Sequence, residues 1–136
     1  MFIFVKKVIL LFVCLFFCGC YQNFKVYKAT YQKWCLPDNN IYGVNYHIVL
    51  IAKKDYNCLI IDSLYVQDKF YKEFHYSVLG KSNTFKNFKK NDKVLVSVNV
   101  YDTINVQNFV IYYTYKGIFK KRLFVKDFII LNDLCK

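Results

Sequence analysis

Polar and apolar residues alternate along most of this chain, and the first 20 residues are the exception. Lys6 and Lys7 precede an unbroken apolar run from Val8 to Phe17, and polar residues return at Gln22 and Asn23. A positive n-region, an apolar stretch of roughly 7 to 15 residues and a small-residue exit are the parts of a secretory signal. A membrane-spanning helix needs about 20 apolar residues, more than this run supplies. Residues 1–19 are therefore read as an export signal, residues 20–33 as a tether and first strand, and residues 34–136 as the folded domain.

Beyond the signal the alternation has the period of strands. Val44, Tyr46, Ile48 and Leu50 alternate with Asn45 and His47, and Val94, Val96, Val98 and Val100 alternate with Leu95, Ser97 and Asn99. Such a period predicts half-buried strands, and the second run, apolar on both faces, is placed centrally in its sheet. Further strands are predicted over Cys58 to Val66, Lys69 to Val78, Phe109 to Tyr115, Ile118 to Val125 and Phe128 to Leu131. The alternation slips at Asp62-Ser63, because Ile61 and Leu64 cannot share a face of a regular strand, so a bulge is expected there. Lys116-Gly117 marks a hairpin. The longest irregular stretch is Leu79 to Lys93, which Phe85 and Phe88 are expected to tack onto the domain. No segment after the signal sustains a 3.6-residue period. About seven short strands separated by turn signals predict an all-β, antiparallel, immunoglobulin-like β-sandwich, with a small closed β-barrel as the alternative.

The exit of the signal adds chemistry. Cleavage before Cys20 puts Gly19 at the last signal position, but bulky Phe17 two residues earlier disfavours the ordinary signal peptidase. Phe17-Cys18-Gly19-Cys20 instead resembles the lipobox of bacterial lipoproteins, in which a large apolar residue and two smaller ones precede a cysteine. That resemblance implies that Cys20 takes a diacylglycerol and becomes the first mature residue. It also implies a membrane-anchored protein of a bacterial cell envelope. Several acyl chains hold a protein far better than the marginal grip of one.

Charge and cysteine counts then apply to the mature chain. Lys6 and Lys7 leave with the signal, so 18 basic side chains face 9 acidic ones, a net of +9. On an exported protein such a surface favours anionic lipid head groups, acidic glycans or acidic partners over nucleic acid, and no nucleic-acid-binding pattern is present. Lys86, Lys89, Lys90 and Lys93, interleaved with Phe85 and Phe88, are candidates for contact with an anionic surface. Cys35, Cys58 and Cys135 remain after the signal and Cys20 are set aside. Outside the cytoplasm two of them can pair, with three connectivities open and one thiol left over. No Cys/His spacing suits a metal, and no cofactor motif occurs.

With these residues laid out, the mature chain is similar to a family of small uncharacterised bacterial lipoproteins. The similarity runs through Trp34, Gly43-Val-Asn-Tyr46, Phe88-Lys-Lys-Asn-Asp92, and the late series of Tyr113, Gly117, Lys121, Leu123, Val125 and Phe128. It implies an envelope location and a β-rich fold, and it supplies no catalytic residue.

Catalytic chemistry has few candidates. Only His47 and His75 offer a base, and no G-x-S-x-G elbow is present. Glu73 is the only glutamate, so a glycosidase pair would have to recruit an aspartate such as Asp62 or Asp102. An envelope hydrolase using His75 with Glu73, or His47, is the alternative to a non-enzymatic module that binds an envelope protein or glycan. Trp34, Tyr65, Tyr71, Tyr101 and Tyr112 are candidates for an aromatic platform, since rings with a polar handle suit half-wet surfaces. An inhibitor of lysozyme-like enzymes ranks last, because those targets are basic and a +9 domain is repelled. The missing acidic residues after Cys20 favour a periplasm-facing orientation over surface exposure.

Overall fold

The computed structural model describes residues 1–20, 22–36, 38, 40–80, 87–103 and 109–133, without the side chains of 14–20. The apolar start forms helix α1 (Phe2–Cys20). No helix among the described residues is long and apolar enough to cross a membrane.

Among the described residues nine strands follow. They are β1 (Phe24–Leu36), β2 (Ile41–Ala52), β3 (Leu59–Val66), β4 (Lys69–Tyr71), β5 (His75–Val78), β6 (Lys93–Tyr101), β7 (Phe109–Tyr115), β8 (Phe119–Val125) and β9 (Ile129–Asp133). They make a five-stranded sheet in the order β5-β6-β2-β1-β9 and a four-stranded sheet in the order β4-β3-β7-β8. The two sheets do not close into a barrel; the fold is the β-sandwich that the alternation predicts. Among the described residues the pairings of these strands are antiparallel except β1 with β9, which is parallel.

The inner faces carry the residues that the period of two selects. Val44, Tyr46, Ile48 and Leu50 of β2 and Val94, Val96, Val98 and Val100 of β6 are buried against Leu59, Ile61, Leu64 and Val66 of β3. Phe109, Ile111 and Tyr113 of β7 complete the core with Leu123 and Val125 of β8. Each large apolar side chain so buried contributes about 1.5–3 kcal/mol. β6 lies between β5 and β2, inside its sheet as expected.

The bulge expected at Asp62-Ser63 is present: the β3–β7 register shifts between Ile61 and Ser63. The shift lets Ile61 and Leu64 both face inward, and both are buried. The single strand expected over Lys69 to Val78 is instead two. Lys72-Glu73-Phe74 leave the ladder, and β4 joins the four-stranded sheet while β5 joins the other. Alternation reports which face a residue takes, and carries no record of a change of partner strand. β1 is longer than expected, and it runs through the 33/34 boundary as an interior strand of its sheet.

Candidate functional site

The Trp34 end of the outer face of the five-stranded sheet departs from the lysine-rich composition of the chain, whereas the other end of that face carries Lys25 and Lys93 beside Ile51. Residues directly opposite in an antiparallel pair share a face, with Cβ atoms about 4.5–5.5 Å apart. Trp34 pairs with Gly43, which pairs with Tyr101. One step along, Gln32, Asn45 and Asn99 form a row, and beyond them Thr30, His47, Ser97 and His75 form another across four strands. These three rows contain no Lys, Arg, Asp or Glu. They offer amides, imidazoles and hydroxyls beside two aromatic rings.

Gly43 explains how the indole is seated. A Cβ at that position would lie 2.5 Å from the Val100 carbonyl oxygen and 2.8 Å from Cζ2 of Trp34. The missing side chain is thus the slot into which the indole lies. Glycine within a strand marks this kind of close approach. The Trp34 Nε1–H donates to Asn99 Oδ1 at 2.8 Å, and the Tyr101 ring stands edge-on to the indole with centroids 5.4 Å apart. Tyr101 is exposed and Trp34 half-buried. Thr30 Oγ1 donates to the His47 carbonyl at 3.4 Å.

The four-stranded sheet has a different outer face. Tyr65 and Phe70 lie 4.8 Å apart and Phe70 and Tyr112 lie 5.5 Å apart, centroid to centroid. Arg122 stands 6.0 Å from the Phe124 ring. Partial burial, then the hydrogen bond from Tyr65 to Asp68 and the Asp68 charge, raise the Tyr65 pKa above the phenolic value. Burial, with the charge of Asp62 behind it, does the same to Tyr76. At the bulge, Thr114 donates to Asp62. Asp62, Ser63, Lys120 and Lys121 border a shallow depression of about 310 Å³.

The five aromatic residues proposed as one platform are therefore divided. Trp34 and Tyr101 meet on one sheet, Tyr65 and Tyr112 flank Phe70 on the other, and Tyr71 packs against the core. His75 is exposed and His47 half-buried, and register brings them to either side of Ser97. Glu73 lies in the segment between β4 and β5 and is exposed. Cys35 is disulfide-bonded, and Cys58 is a free, exposed thiol. Cys20 ends α1, and its side chain, like Cys135 and Lys86, lies outside the described residues. Lys89, Lys90 and Lys93 are exposed, and the Lys93 ammonium sits 4.6 Å from the Tyr27 ring centroid. No cluster of three or more His, Cys, Asp or Glu able to hold a metal ion occurs among the described residues.

Gln32, Gly43, Ser97 and Asn99 were not legible as site residues. Gly43, a glycine entering an alternating run, was the one available signal. No family model matches the chain. No curated protein and no solved structure matches it either.

Proposed function

We propose that this chain is a lipid-anchored bacterial envelope protein, non-enzymatic, that presents the outer face of its five-stranded sheet to a neutral glycan. The observation that carries the reading is the uncharged patch around Trp34. Three successive rows lack any formal charge in a chain with 20 basic and 9 acidic residues. Amide and hydroxyl groups exchange hydrogen bonds with sugar hydroxyls, and an aromatic ring with a polar handle covers the apolar face of a pyranose. Anchoring rests on the lipobox-like exit at Cys20, with the domain facing the periplasm.

Co-sedimentation with insoluble envelope polysaccharide tests the binding. The wild-type chain is expected in the pellet, with at least about tenfold weaker retention for Trp34→Ala and Asn99→Ala, the equivalent of about 1.4 kcal/mol. Equal retention of all three refutes the assignment of the face. Anchoring predicts fatty-acid labelling that Cys20→Ser abolishes; a wild-type chain that takes no label contradicts it.

The row His47-Ser97-His75 supports a second reading, an envelope hydrolase using His75 with Glu73, or His47. Against it, the β6 backbone from Val94 to Ser97 is held in ladders with β2 and β5 on either side, and regular ladder backbone does not gather the convergent N–H donors that an oxyanion hole needs. A His47→Ala/His75→Ala variant that folds and loses turnover of an envelope substrate supports the hydrolase; undiminished turnover removes it.

A further inference from the structure

The chain enters the sandwich at one end, and that end has a distinct surface. Gln22 Nε2 donates to the Arg122 carbonyl at 2.9 Å, and the Tyr113 hydroxyl lies 2.9 Å from Gln22 Oε1. The Asn23 N–H donates to that hydroxyl at 3.2 Å, and the Lys121 ammonium donates to Asn23 Oδ1 at 2.8 Å. Tyr113 and Asn23 are buried. Gln22 and Asn23 are thus fixed to β7 and β8 rather than serving as a free tether. From Cys20 to Gln22 an extended chain reaches about 7 Å at most.

The same end gathers three turns. Lys53 N–H donates to the Asn23 carbonyl, Asn91 N–H to the Ala52 carbonyl, and Lys116 N–H to the Cys58 carbonyl. These turns bring Lys53, Lys54, Lys89, Lys90 and Lys116 to one end of the strands, all exposed. Two aspartates brace the same turns. Asp55 accepts from the Lys90 N–H at 2.7 Å, and Asp92 from the Lys89 N–H at 2.8 Å, so both hold the loop backbone. Beyond Tyr115 the β7–β8 hairpin exposes Ile118 at 78 % and Phe119 at 54 % of their surface. Two large apolar side chains at a hairpin tip, ringed by lysines, match a head-group layer: apolar tips enter it and ammonium groups meet its phosphates.

We propose that this end of the sandwich docks on an anionic lipid bilayer, with Ile118 and Phe119 inserted in the head-group layer and the strands standing up from the membrane. The proposal rests on anchoring at Cys20, because the short reach from Cys20 to Gln22 presses this end against the bilayer. Each lysine near an anionic surface strengthens the contact by roughly fivefold. Trp34 lies ten residues along β1 from Phe24, about 33 Å at strand rise. The uncharged patch is thereby held clear of the lipid.

The single tryptophan makes the test direct. The full, lipidated chain is reconstituted into vesicles of phosphatidylcholine with about a quarter phosphatidylglycerol, all carrying bromine on the acyl chains near the head groups. Two forms are compared, the wild type and Trp34→Phe/Ile118→Trp. Quenching of more than half the emission is expected for the indole at the hairpin tip and none for Trp34. Lys89→Glu/Lys90→Glu added to the second form is expected to lower the quenching, as are vesicles of phosphatidylcholine alone. A protein that floats with the vesicles but shows no quenching at the tip overturns the docking and leaves the anchor standing. Quenching that is equal without phosphatidylglycerol overturns the anionic-lipid assignment. A protein that fails to float removes the anchor and the docking together.

Discussion

Replacing Gly43 by alanine is the change that most directly couples the fold to the proposed face. The new methyl carbon would stand 2.5 Å from the Val100 carbonyl oxygen and 2.8 and 3.0 Å from two ring carbons of Trp34. Carbon and carbonyl oxygen ordinarily settle at about 3.3–3.6 Å, so β2 and β6 must part by about 0.8 Å where Gly43 faces Tyr101. Forcing a methyl into a packed site costs about 1–3 kcal/mol. Displacing the indole also breaks its hydrogen bond to Asn99, worth about 0.5–1.5 kcal/mol. The total of about 2–4 kcal/mol corresponds to a fall in Tm of about 6–20 °C for a domain of this length. Urea unfolding followed by far-ultraviolet circular dichroism measures the stability, and the emission maximum of the folded variant reports the displaced indole. In a Trp34→Ala background the same substitution loses only the Val100 contribution, so the double-mutant cycle yields a coupling of about 0.5 kcal/mol or more. An unchanged midpoint together with an unchanged emission maximum refutes the seating of Trp34 on Gly43.

Other outcomes follow from the same contacts. Tyr113→Phe removes the hydroxyl that receives the Asn23 N–H in a buried site and is expected to cost about 1–3 kcal/mol in urea unfolding; a loss below about 0.5 kcal/mol contradicts the role of that hydroxyl. Burial raises the Tyr76 pKa above 10.0, so its contribution is fully present below the unfolded value and is lost as pH rises through the folded one. Thermal melts between about pH 9 and pH 11 are expected to show a shallower alkaline decline for Tyr76→Phe than for the wild type; identical slopes contradict the shift. Cys35 is bonded and Cys58 free, while Lys33 pairs with Asp133 in the parallel β1–β9 ladder. With Cys58 free and Cys20 assigned to the lipid, Cys135 is the remaining partner of the mature chain for Cys35, so non-reducing peptide mapping is expected to link those two and to find Cys58 alkylated by iodoacetamide. A Cys58-linked peptide contradicts the pairing.

Much of the sandwich is legible in the sequence because burial on one face of a strand writes a period of two. The clean alternation of Val44 to Ala52 and of Val94 to Tyr101 became β2 and β6, and the broken alternation at Asp62 became a bulge. What period two does not carry is which strand a residue bonds to. The passage of Lys72-Glu73-Phe74 from one sheet to the other, and the parallel seat of β9 beside β1, depend on contacts distant in sequence. The proposed site was illegible for the same reason. Gln32, Asn45 and Asn99 lie 13 and 54 residues apart in the chain, and only register makes them one row. Trp34 and Tyr101 were visible as candidates, but so were Tyr65, Tyr71 and Tyr112, and composition does not sort aromatic residues among faces.

If the face around Trp34 receives an uncharged glycan, the sole tryptophan of the chain reports on it without a label. The folded chain is titrated with neutral oligosaccharides released from envelope polysaccharide while its emission is followed, with an acidic polysaccharide as comparison. A saturable change in emission is expected with the neutral sugars, at least about tenfold weaker in Asn99→Ala, and little change with the acidic polymer at physiological salt. An emission spectrum that stays fixed across the neutral titration, or that responds only to the acidic polymer, contradicts glycan binding at this face.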